Sequence, residues 1–145
     1  MIEKPNEAEM VIKFLEEKNY EKLFSNGYCF HFALCSANRG IGTLHKINYK
    51  SCEGMAHVFV ITRENKAFDR LGFRTVDSLC SEFPNTHSHE IATPEEIKDK
   101  IREITIRRNL SPATCDRIFE AAEIAISGCF SCMISSPPTV KNTPD

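Results

Sequence analysis

No stretch of this chain approaches the roughly 18 apolar residues that a membrane-spanning helix requires, so no membrane span is expected. A basic face is missing too. Eighteen Lys and Arg stand against 20 Asp and Glu, for a formal net charge of −2. The one strongly basic cluster, residues 102–108, is interrupted by Glu103 and by apolar side chains. A nucleic-acid-binding domain normally carries a basic stripe, so nucleic acid is not an expected partner. The first residues, Met1-Ile2-Glu3-Lys4-Pro5-Asn6-Glu7, lack the basic and apolar blocks of a secretory signal. A cytoplasmic location is therefore expected, with delivery to a target cell by a dedicated system as a variant of it. No internal repeat and no linker divides the 145 residues. That length suits one domain, expected over 1–134. A flexible tail is expected over 135–145, which holds three prolines and shows no periodicity.

Cysteine is what the chain has in excess, with seven residues. The number is odd and the spacings do not form a disulfide framework. Most of these thiols are expected to be reduced and packed as small apolar side chains. With 41% hydrophobic and 26% charged residues, the composition is that of a globular chain able to fold without a staple.

The pattern of elements is α+β. Residues 6–17 read as an amphipathic helix, with Val11, Phe14 and Leu15 on one face. A short helical turn follows at 19–24. The break Ser25-Asn26-Gly27 offers N-cap residues, and residues 28–37 then form a helix apolar nearly all round, which implies a central, buried position. Residues 44–50 are compatible with a strand or a loop. His57-Val58-Phe59-Val60-Ile61-Thr62 is a strand by its β-branched and aromatic content. A hairpin-length turn at 63–66 leads to a partner strand at 67–71, closed by Gly72. Thr75 is expected to cap a helix over 75–83, and residues 89–92 to add a third strand. Thr93-Pro94-Glu95-Glu96 starts a helix running to about residue 109. Ser111-Pro112 opens a last one, expected to end near residue 127.

Chemistry concentrates on three residues. Cys29 falls in the first turn of the apolar helix if Asn26 or Ser25 caps it. Unpaired N–H groups and the helix dipole there favour a thiolate, and the same N–H groups can hold a developing oxyanion. His57 begins the apolar strand and can reach a neighbouring helix terminus, so that its imidazole takes a thiol proton. Asp69 lies on the partner strand, where an acid can orient the ring. Pairing the hairpin across Glu64 and Asn65 sets Asp69 opposite Val60, some residues along from His57.

In this order, Gly27-Tyr28-Cys29 opening an apolar helix, His57-Val58-Phe59-Val60 as a strand and Phe68-Asp69 on the next strand, residues 26–72 resemble the papain-like cysteine hydrolases. The resemblance is strongest to their small branches: NlpC-type amidases, transglutaminase-like proteins and bacterial effector deamidases. It implies a papain-like α+β fold, with the Cys-bearing helix packed on a small antiparallel sheet and two C-terminal helices added. It implies Cys29 as nucleophile, His57 as general base and acid, and Asp69 as orienting residue. The implied activity is hydrolysis of an amide through an acyl-thioester on Cys29, as a peptidase, an amidase or a glutamine deamidase, with a protein or peptide as substrate and no cofactor. Leu23 stands where papain-type enzymes carry a glutamine as oxyanion donor. That leaves Asn26 or the Tyr28 hydroxyl as the candidate for oxyanion or substrate positioning. The alternative function is a non-catalytic inhibitor or adaptor on the same scaffold.

Other clusters carry less. Cys52 lies five residues before His57 but beside Glu53, which raises rather than lowers a thiol pKa. Cys29 and His31 point to different sides of a helix and make a poor metal pair. His87 and His89 lack an obvious companion beyond Glu90 or Cys80. Cys129 and Cys132 form a single Cys-x-x-Cys at a helix end, the basis for a third alternative, a metal- or redox-sensing module. Zinc there would need two further ligands, and no metal is expected.

Overall fold

Three helix starts in the sequence carry the caps their residues imply. Asn6 accepts from the Glu9 N–H, and the Glu9 carboxylate accepts from the Asn6 N–H, closing a capping box ahead of α1 (Glu7–Glu16). Thr93 and Glu96 form the same box ahead of α5 (Pro94–Arg107). The Thr75 hydroxyl accepts from the Ser78 N–H, starting α4 (Val76–Cys80). The computed structural model describes residues 6–135, and side chains as far as Cys129. Residues 136–145 of the expected tail lie outside that range.

The remaining elements are α2 (Tyr20–Leu23), α3 (Cys29–Asn38), β1 (Thr43–Asn48), β2 (Met55–Ile61), β3 (Lys66–Asp69), β4 (Gly72–Thr75), β5 (Glu90–Ile91) and α6 (Pro112–Ser135). The strands form one antiparallel sheet in the order β4-β3-β2-β1-β5. The protein is thus α+β, a five-stranded antiparallel sheet with several helices. Among the described residues no helix is long and apolar enough to cross a membrane.

Alternation along β2 sorts its side chains between two cores. Val58 and Val60 join Leu44 and Phe68 in the larger cluster, which the helices α1, α3, α5 and α6 cover. Phe59 joins Ile47, Ala67 and Leu79 in a smaller cluster on the other face, under α4 and Phe83. Helix α3 is buried at seven of its ten positions, His31 included, in keeping with its nearly uniform apolarity.

Strand β2 starts at Met55, so His57 is its third residue rather than its first. Two further segments differ from expectation. The stretch 75–83 is not one helix, because Gly72 turns the chain at φ 93° and sends residues 72–75 back along β3 as β4, so only a short helix remains. Helix α6 runs on to Ser135. Ser127-Gly128 does not stop it: Gly128 is not among the glycines with positive φ, and a helical glycine costs only about 1 kcal/mol. Cys129 and Cys132 therefore lie within a helix rather than at its end, and the Cys132 side chain is outside the described set.

Candidate active site

The chain approaches Cys29 through a turn that only glycine fits. Gly27 has φ 97°, and a Cβ there would sit 2.9 Å from the Arg108 guanidinium. Arg108 follows the last turn of α5 and donates to the Asn26 carbonyl at 2.7 Å. Its Cζ stacks 5.1 Å from the Tyr28 ring centroid. The turn that delivers Cys29 is thereby clamped. Tyr28 is the N-cap residue of α3 and makes no side-chain capping bond, and Cys29 is the first helical residue. The first N–H groups of α3 thus lack a side-chain cap at a helix start.

Asn26 and Ser25 do not cap this helix. Both bond backward to α2: the Asn26 amide donates to the Lys22 carbonyl and the Ser25 hydroxyl to the Glu21 carbonyl. Neither the Asn26 nor the Tyr28 side chain lines the cleft beside Cys29. Tyr28 is buried, its ring 5.6 Å from that of His31 between centroids. The two residues assigned to oxyanion or substrate positioning are therefore placed elsewhere, one closing α2 and the other in the core. Leu23 is fully buried and offers no donor.

His57, Asp69 and Cys29 are brought together. Between β2 and β3 the ladder holds only the pairs Val60–Phe68 and Ile61–Ala67. Beyond them a side-chain bond takes over: His57 Nε2 donates to Asp69 Oδ2 at 2.9 Å, with both residues buried (4% and 2% exposed). Continuing the register by one residue sets Asp69 opposite Phe59, so Asp69 shares the face of Phe59 and His57 and is a diagonal neighbour of the latter. Pairing across a two-residue loop would have set it opposite Val60, on the other face. The loop instead has three residues, 63–65, with Asn65 at φ 65°, and the Thr62 N–H donates to the Lys66 carbonyl.

The acid is fixed on all sides. Asp69 Oδ2 also accepts from Arg74 at 2.9 Å, and Oδ1 accepts from the Leu71 N–H at 3.0 Å. Arg74 in turn pairs with Glu82. Nothing in the sequence pattern had pointed to Arg74 or Arg108. Arg74 is reachable only once the Gly72 turn folds β4 against β3.

The His57 ring is stacked against Phe83, 4.7 Å between centroids, and more loosely against Phe59 at 6.1 Å. Burial by itself would push its pKa down. Hydrogen bonds and charge from Asp69 and Cys29 outweigh burial and hold the imidazolium up at about 9. Burial likewise opposes the Asp69 carboxylate, but the bonds from His57, Leu71 and Arg74 keep it below the ordinary value. Since Nε2 serves Asp69, Nδ1 is the ring nitrogen left for the Cys29 thiol.

Cys29 is half-buried and opens with His57 onto a cleft of about 450 Å³. One wall carries Lys100, Ile104 and Arg107 of α5, and the other carries residues 53–56 and Phe83. The arrangement holds the parts of nucleophilic catalysis: a thiol, a base, an acid orienting the base, uncapped N–H groups and an open face for a substrate.

Cys52 is exposed in the loop before β2. His89 pairs with His45, Nδ1 to Nδ1 at 3.1 Å, a contact the sequence reading missed. Among the described residues no group of three or more His, Cys, Asp or Glu is placed to hold a metal ion. No protein-family model, no curated protein and no solved structure matches this chain.

Proposed function

We propose that this protein is a cysteine-dependent amide hydrolase with a papain-like site, working through an acyl-thioester on Cys29. The reading rests above all on one observation, the buried His57–Asp69 bond, with His57 and Cys29 lining the same cleft. A surface histidine needs no such support, and an imidazole held by a buried carboxylate beside a thiol is the arrangement that moves protons for a nucleophile.

In this reading the proton that Cys29 gives up resides on His57. The Cys29 sulfur attacks the carbonyl carbon of a carboxamide or peptide bond, and the oxygen takes the negative charge. Backbone N–H groups at the start of α3 stabilise it, in place of the glutamine side chain for which Leu23 stands. His57 gives its proton to the departing nitrogen, the C–N bond breaks and an acyl-thioester remains. His57 then takes a proton from water, the hydroxide attacks the thioester, and the acid product leaves as the thiol is restored. Asp69 keeps the ring oriented through both steps and stays ionised.

The test compares thiols within one chain. Iodoacetamide at neutral pH is expected to alkylate Cys29 faster than the exposed Cys52 and the other cysteines, with the preference lost in His57→Gln. Ammonia release from glutamine peptides, followed alongside peptide-bond cleavage, then separates deamidation from proteolysis. If Cys29 reacts no faster than Cys52, the hydrolase reading falls and a non-catalytic binding scaffold replaces it.

A further inference from the structure

The charge of the cleft is opposite to that of the chain. Arg70, Lys100, Arg107 and Arg108 line it, with Glu53 as the one lining acid, while the whole sequence carries −2. Arg108 is committed to the Asn26 carbonyl and to Tyr28, with Glu7 3.7 Å away. Arg70 stands beside the triad, 3.8 Å from Asp69, with its Nε buried and unpartnered.

Lys100 and Arg107 are one face of α5 and share a single acid. Lys100 lies 3.1 Å from Glu103 Oε1 and Arg107 3.8 Å from Oε2. Glu103 is half exposed, does not line the cleft, and offers one negative charge to two cations. Exposed pairs of this kind are weak, about 0–1 kcal/mol, so a carboxylate arriving from the cleft side competes with Glu103 at little cost. The positive end of α3 adds to the same field.

We infer that the cleft recognises an acidic peptide segment, with Asp or Glu side chains flanking the amide presented to Cys29 and contacting Lys100, Arg107 and Arg70. This rests on the hydrolase reading for the role of Cys29. Ile104 between the two α5 cations, and Phe83 opposite, supply apolar contact for the stems of such side chains.

The test uses alkylation of Cys29 in the full chain, read as the rate with iodoacetate divided by the rate with iodoacetamide. The ratio cancels changes in the nucleophile itself. Relative to a free cysteine peptide, it is expected to be raised by at least about tenfold at low salt and to fall as salt is added. The double variant K100Q/R107Q should bring it back toward the free-peptide value. Glu103→Gln should raise it further, an outcome that a merely structural role for these residues does not produce. Arg117→Gln removes one positive charge outside the cleft and should leave the ratio unchanged.

A decapeptide of alternating Glu and Gln should then protect Cys29 from iodoacetamide, and one of alternating Lys and Gln should not. A ratio equal to that of the free peptide, or one insensitive to these variants, overturns the inference. So does equal protection by oligothymidylate, which would mark a general polyanion site. Selective iodoacetamide labelling of Cys29 without anion preference removes only this inference. Loss of that selectivity removes the hydrolase reading instead.

Discussion

His57 and His31 are both buried, 4% and 0% exposed, yet their rings are held at about 9 and about 4. Burial pushes both downward. His31 sits two residues after Cys29 on α3, between Tyr28 and Phe119, and neither ring nitrogen has a hydrogen-bond partner. It stays neutral because burial outweighs the one favourable influence on its charge, the Tyr28 backbone. His57 faces Asp69 and Cys29, and these partners reverse the sign. Depth alone therefore does not decide the protonation of a histidine in this core; the presence of a carboxylate does.

The sharpest way to break the comparison is Asp69→Asn. Without the carboxylate, His57 loses its largest compensating partner, and its pKa is expected to fall from about 9 toward the behaviour of His31. Alkylation of Cys29 at neutral pH should slow on the order of 10³-fold. NMR titration of the ring reads the first effect and iodoacetamide kinetics the second. An unmoved His57 titration would show that Asp69 is not the cause. Asp69→Ala should also cost about 3–5 kcal/mol of stability, because it strands buried cations.

Next in size is the pH dependence of folding, where the two rings act with opposite signs. The folded His57 pKa lies above its unfolded value of about 6.5. Its contribution, about 3 kcal/mol, is fully present below pH 6.5 and is lost as pH rises through about 9. The folded His31 pKa lies below the unfolded value, so stability on its account is complete above pH 6.5 and declines as pH falls toward about 4. Denaturant unfolding should therefore be most difficult near pH 6.5. His57→Gln should flatten the alkaline limb and His31→Phe the acid one.

His31→Phe also removes two unpartnered ring nitrogens from an aromatic surrounding. A gain of about 1 kcal/mol at pH 7 is expected, measured as a raised midpoint in urea. A loss instead would indicate that His31 has a polar partner. The smallest effect belongs to Phe83→Leu, which removes the ring stacked on His57. It should lower the His57 pKa slightly and cost about 1 kcal/mol, visible in the same NMR titration.

The half of this picture that depends on local rules was legible before any coordinates. Asn6 with Glu9, and Thr93 with Glu96, spell their capping boxes within four residues. The β-branched run after His57 spells its strand. Cys29 at the start of the apolar helix could be singled out for the same reason. Asp69 was harder to place, because its position depends on whether the loop after Thr62 holds two residues or three, and an Asn65 in the left-handed region adds the third. One residue of loop exchanges the faces of a whole strand. Arg74 and Arg108 were out of reach of local reasoning: the first acts across a second hairpin, and the second contacts Gly27 from a helix 81 residues further on in sequence. Asn26 misled because a good capping residue was read forward into α3 when its amide serves the helix behind it.

The Arg108 clamp ties together two parts of the molecule that a list of site residues keeps apart. The helix that forms one wall of the cleft ends in the side chain that grips the turn before the nucleophile. If α5 is drawn inward or pushed outward by whatever occupies the cleft, the Asn26 carbonyl must follow or its bond must break. The space beside Gly27 is too tight for a methyl group, so the guanidinium lies directly against the turn. Wall and nucleophile thus share one anchor, the Arg108 side chain at the end of α5.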